Sequence, residues 1–112
     1  MNTEFDAGSI TFTPSVGIGV NYIGWTEKRN PLASPEDFKN VLDWTKNEYL
    51  PKYENRNVDP WHKKSILTNT WNEFGEGHYV FPSSLSGFDY LDAYRQVFSS
   101  VAGTTKGLAF NV

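Results

Sequence analysis

Residues 65 to 77 read S-I-L-T-N-T-W-N-E-F-G-E-G. Ile66 to Trp71 reads as a strand that runs directly into a glycine-punctuated turn holding two carboxylates, Glu73 and Glu76. On a straight strand, residues three apart face opposite sides and lie about 10 Å apart, so these acids serve one site only if the chain bends between them. Gly75 and Gly77 permit backbone conformations closed to other residues, and a turn there brings both carboxyls toward one pocket.

Working outward, Ile10 to Ile23 alternates apolar with small or polar residues and predicts a first strand, interrupted near Pro14. A turn-rich run to Ala33 follows. Ser34-Pro35-Glu36-Asp37 then predicts a helix start, with a Ser cap, Pro at the first helical position and acids facing the positive end of the dipole. Phe38, Val41, Leu42, Thr45 and Tyr49 form one apolar stripe, on a helix expected to stop before Pro51. Residues 51 to 64 are polar and break-rich, hence a surface connection.

Beyond the glutamate turn, Ser86-Gly87-Phe88-Asp89 has the spacing of a capping box. Tyr90, Leu91, Tyr94, Val97, Phe98 and Val101 make the stripe of the second helix, with Gly103 as its stop and a short strand in the tail Gly107 to Val112. Strand, helix, strand, helix is the order of an α/β fold: two βα units with parallel strands joined by helical crossovers. Two such units leave two sheet edges open, so either more chain or a partner is expected to cover them.

The chain has 112 residues and a formal net charge of -3, enough for one domain or part of one and too few for a large enzyme barrel. Ten Lys and Arg against thirteen Asp and Glu, with no basic run, give no footprint for nucleic acid or an anionic membrane. No apolar run approaches the roughly 18 to 20 residues of a membrane span, and the first nine residues lack the pattern of a signal peptide. Cysteine is absent, which removes disulfides and thiolate metal sites. Four Trp, six Tyr and eight Phe are many for so polar a chain, and Trp25, Trp61, Trp71, Phe74 and Tyr79 sit among loop-forming residues. Rings near polar groups suit the faces of sugars, and equally suit loop aromatics folding back on a core.

In parallel α/β folds ligands bind at the carboxyl ends of the strands. Two loops have that position: residues 22 to 33, with Trp25, Glu27, Lys28 and Arg29, and residues 71 to 85, with the glutamates. Glycosidases use such a carboxyl pair, about 5 to 5.5 Å apart for retention and roughly 6.5 to 9.5 Å for inversion. The Asn72 amide suits a sugar hydroxyl, and Trp71 and Phe74 offer ring faces. Read as bare residues, the two glutamates are also ordinary solvated charge in a turn, and Arg29 a solvated loop side chain. His62 and His78 lack the spacing of a metal pair, so no metal is expected.

The segments W-N-E-F-G-E-G-H-Y-V-F-P and G-F-D-Y-L-D-A-Y-R-Q-V-F resemble the C-terminal region of glycoside hydrolase family 99-like proteins, including the WbsX-like branch associated with polysaccharide biosynthesis. The resemblance is strongest over residues 65 to 98 and weaker over residues 12 to 45. It implies a partial (β/α)8 barrel, with residues 1 to 112 as a C-terminal fragment holding the last two βα units. It further implies a retaining hydrolase of α-linked, mannose-like glycans that needs no cofactor. Glu73 would assist the substrate's own 2-hydroxyl and Glu76 would act as acid and then base, with Trp71, Asn72, Phe74, His78, Tyr79, Trp25 and Arg29 against the glycan. Phe74 stands where Trp is usual in the family, and His78 where its mannosidases commonly carry Thr. A lone fragment is expected to be inactive and to associate with the missing barrel portion or with itself through its open edges. A carbohydrate-binding module and an inert barrel remnant are the alternatives.

Overall fold

The computed structural model describes residues 12 to 21 and 31 to 99. Within them the fold is mixed helix and strand around a small parallel sheet. Strand β1, Ser15–Val16, pairs in parallel with β2, Leu67–Thr68, in the register Ser15 to Leu67 and Val16 to Thr68. The Leu67 amide donates to the Pro14 carbonyl and the Asn69 amide to the Val16 carbonyl, both at 2.8 Å, extending the ladder at each end. Helix α1, Pro35–Trp44, lies in the connection between these strands, and helix α2, Asp89–Phe98, follows later in the chain.

Helix α1 begins as its sequence predicts. The Ser34 hydroxyl accepts from the Asp37 amide at 3.0 Å and donates to the Asp37 carboxylate at 2.9 Å. That exchange satisfies an amide for which the helix has no internal partner. The α-helix itself ends at Trp44, and helical winding of other pitch continues past Pro51. The coil widens into a π turn over Thr45–Tyr49, where the Thr45 hydroxyl donates to the Val41 carbonyl at 2.8 Å, and then tightens into a 3-10 turn over Leu50–Tyr53. Proline lacks an amide hydrogen and is tolerated in the first turn of a new helix, which is the place Pro51 takes.

The core forms where the two helices meet the sheet. Phe38 and Leu42 of α1 and Tyr90, Ala93 and Val97 of α2 close over Val16, Ile18 and Val80. Phe38, fully buried, receives the rings of Tyr90 and Tyr94 edge-on, at centroid distances of 5.6 and 5.3 Å. Burying one such side chain contributes about 1.5 to 3 kcal/mol. The Thr68 hydroxyl bonds the Tyr94 hydroxyl at 2.7 Å, so β2 is tied to α2 as well. Ser15 and Leu67, opposite each other in the register, are exposed, while Val16 is buried under the helices. Val41 and Phe98, placed on the stripes by spacing, are also largely exposed. Asp92, which no stripe includes, is buried and paired with Arg95 at 2.8 Å.

Three further expectations meet tertiary structure. Of the described part of the first predicted strand, residues 12 to 21, only Ser15–Val16 is paired as a strand, because β2 offers a two-residue partner and Gly19, at φ +97°, turns the chain away. The capping box before α2 does not form: Phe88 occupies the cap position, and the Ser86 hydroxyl bonds that of Ser83 at 2.8 Å. Helix α2 ends at Phe98 with Ser99 extended, and Val101, Gly103 and the tail strand lie outside the described residues.

Candidate active site

Directly after β2 the chain folds into a β-hairpin. Strand β3, Asn72–Glu73, pairs antiparallel with β4, His78–Tyr79, in the register Asn72 to Tyr79 and Glu73 to His78. A short 3-10 turn, Phe74–Glu76, reverses the direction, and Gly77 completes it in the left-handed region at φ 59°, ψ 28°. The Gly77 amide donates to the Phe74 carbonyl at 3.0 Å. Thus the bend between the two acids exists as the Phe74–Glu76 turn, and Gly77, just after it, is the glycine that takes the left-handed conformation. Gly75 keeps a negative φ, and no atom outside its chain neighbours lies within 4 Å of the place its Cβ would occupy.

The hairpin is bound to the sheet ends from below. The Asn21 amide, just beyond β1, donates to the Glu76 carbonyl at 2.7 Å. The amides of Val80 and Phe81 donate to the Trp71 carbonyl at 3.1 and 2.9 Å, and the Thr70 hydroxyl to the His78 carbonyl at 2.6 Å. His78 is buried, with Nε2 against the Asn69 carbonyl. Gly17 presses so closely on Asn69 that a methyl group there would overlap the Asn69 carbonyl oxygen, at 2.1 Å. These bonds hold Glu73 and Glu76 in one short reversal at the carboxyl end of a parallel strand.

Above this base the residues face solvent. Asn72 and Glu73 are exposed and Glu76 is half-buried. Phe74 lies over Tyr79, with centroids 4.9 Å apart, and meets Phe81 edge-on at 5.9 Å, while Trp71 meets Phe81 edge-on at 5.3 Å. Trp71 and Phe74 remain about half exposed, at 48% and 49%, and Phe81 at 38%, so a connected aromatic surface flanks the acids. Carboxylates accept hydrogen bonds and move protons, an amide addresses hydroxyls, and ring faces take the apolar faces of pyranoses.

The structure therefore brings Trp71, Asn72, Glu73, Phe74 and Glu76 together on one hairpin. Tyr79 and His78 are on the same hairpin but buried, Tyr79 against the Phe74 ring and His78 against the Asn69 carbonyl. Trp25 and Arg29 lie outside the described residues. Phe81 was missed by the sequence reading. The signal was its position two residues after Tyr79 in an extended run, which places both on the face opposite Val80. His62 belongs elsewhere, stacked at 3.6 Å on Trp61 and at 6.4 Å on Tyr53. Among the described residues no cluster of three His, Cys, Asp or Glu could hold a metal ion, and no helix is long and apolar enough to cross a membrane.

No protein-family model matches the chain, and no curated protein or solved structure matches it either.

Proposed function

We propose that this chain carries the catalytic hairpin of a retaining glycoside hydrolase acting on α-linked, mannose-like glycans, within a (β/α)8 barrel of the family 99-like type. The observation that carries the reading is the hairpin itself: two glutamates three residues apart in one reversal, directly after a strand of a parallel pair. Carboxyl ends of parallel strands are where such folds gather reacting groups. In this reading the Glu73 carboxylate takes the proton of the substrate's 2-hydroxyl as that oxygen attacks the anomeric carbon. Glu76 gives its proton to the departing oxygen, then removes one from the water that opens the resulting anhydro sugar, while Glu73 returns its proton to the 2-oxygen. Trp71, Phe74 and Phe81 seat a sugar ring, and the Asn72 amide holds a hydroxyl. The chain supplies two βα units and the rest of the barrel comes from further sequence or a partner, so the isolated chain is inactive.

The test is hydrolysis of α-mannosides by the protein encoded by the whole reading frame, beside its Glu73→Gln and Glu76→Gln variants. Each substitution lowers turnover at least about 100-fold, the low end of what a positioned acid or base contributes. Full activity in both variants would remove the assignment. The exposed rings favour one other reading, a non-catalytic glycan-binding surface. Glycan affinity that survives the double Gln substitution, with no hydrolysis by any form, would select it.

A further inference from the structure

At the other end of the layers, where β2 begins, lies a cavity of about 410 Å³, within the range of small-molecule sites. Part of its lining is apolar: Leu50 and Pro51 from the 3-10 turn, and Phe98, the last residue of α2, 42% exposed. Among the described residues, Lys46, Lys63 and Lys64 also line it, with Glu54 as the one acid. In a chain whose net charge is -3, the described lining residues, three lysines and one glutamate, thus carry a formal surplus of two positive charges about an apolar hollow.

Two of those ammonium groups are held in place by backbone. Lys46 Nζ donates to the Val97 carbonyl at 2.6 Å, at the negative end of α2, and Lys63 Nζ donates to the Glu54 carbonyl at 3.0 Å. Each ammonium has three donors, so one bond to a carbonyl leaves others for a ligand. Fixed cations beside apolar walls suit one kind of small molecule: an apolar body ending in an acid. A neutral apolar molecule leaves the cations unanswered, and a bare inorganic anion leaves the Leu50, Pro51 and Phe98 surface wet.

The geometry points to a second binding site here, for an amphiphilic acid whose carboxylate or phosphate meets Lys63 and Lys64 while its apolar body lies on Leu50, Pro51 and Phe98. The site is independent of the chemistry proposed for the hairpin and stands or falls separately.

Decanoate, decyl phosphate and decanol are titrated into the 15N-labelled chain below their aggregation concentrations, and amide shifts are followed by NMR. Both acids bind, with shifts confined to residues 46 to 54, 63 to 64 and 98, and their affinity ratio identifies the preferred head group. Decanol binds at least roughly fivefold more weakly, about the upper effect of one exposed ion pair. The Lys63→Gln/Lys64→Gln variant weakens decanoate by a similar factor with an unchanged circular dichroism spectrum, and Glu54→Gln tightens it. In the wild-type chain alone, 0.5 M NaCl lowers decanoate affinity at least about twofold through screening, a check that needs no variant. Equal binding of decanol and decanoate, shifts centred on Trp71 and Phe81, no saturation by about 5 mM acid, or a lysine variant that binds like wild type would each overturn the proposal.

Discussion

Replacing Gly77 by Ala tests how the acids are brought into one turn. Gly77 lies at φ +59°, a conformation that costs a residue with a Cβ about 1 to 2 kcal/mol. A Cβ there would also sit 2.8 Å from the Asn21 Cβ and 3.0 Å from the Asn21 carbonyl oxygen, contacts that require Asn21 to move. Asn21 donates the 2.7 Å bond to the Glu76 carbonyl, and losing a bond of that kind costs about 1 kcal/mol more. The sum is about 2 to 3 kcal/mol, a large share of the stability of a small domain. Gly75→Ala is the control, because Gly75 keeps a negative φ and its Cβ would meet open space. That substitution is neutral or stabilises by up to about 1 kcal/mol, since it narrows the unfolded ensemble. Urea unfolding followed by tryptophan fluorescence and far-UV circular dichroism reads both. Equal losses for the two substitutions, or no loss at Gly77, would refute the claim that one left-handed glycine and its anchor on Asn21 shape the turn.

Two further outcomes follow from the helices. Burial, and then repulsion from Tyr79 and Asp89, raises the Tyr90 phenol above its ordinary 10.0, and burial raises Tyr94 against the opposing effect of its bond with Thr68. Below pH 10 both states keep these protons and stability is full. Above it the unfolded chain loses them first, so stability falls as pH rises toward the folded values. Tyr90→Phe loses the 2.7 Å bond to the Ala33 carbonyl, about 1 kcal/mol at neutral pH, and shows a shallower decline in urea melts between about pH 8 and about pH 11. Ser34→Ala costs about 1 kcal/mol by the same melts, because the Ser34 hydroxyl caps α1. Ser86→Ala costs less, since its hydroxyl bonds Ser83 rather than an amide of α2, and an equal cost for the two would contradict the capping assignment.

Helix α1 was legible almost to the residue at its start, where Ser34, Pro35 and the two acids act on neighbours three positions away. Its end was not, because Pro51 forbids one hydrogen bond without forbidding a change to a different helical pitch. Sequence spacing also placed the two glutamates in a turn and set the rings of Trp71 and Phe74 beside them. It did not assign Gly77 and Gly75 their different parts, since both permit the conformation and only the approach of Asn21 to Glu76 shows which adopts it. Phe81 joined the surface through contacts with Trp71 and Phe74, from the other arm of the hairpin.

The sequence by itself determined the two helices, much of their buried faces and the alternation with strands, because helical hydrogen bonds and caps join residues within one turn of each other. Tertiary structure decided how little of each strand is paired, that His78 and Asp92 go inside, and that α2 starts without the cap its residues spell. The pairing and burial depend on contacts outside the local pattern, Ser15 with Leu67, His78 with Asn69 before the hairpin, and α2 against α1, while the cap is lost to Ser83, which takes the Ser86 hydroxyl. A local pattern carries no record of which distant surface will meet it.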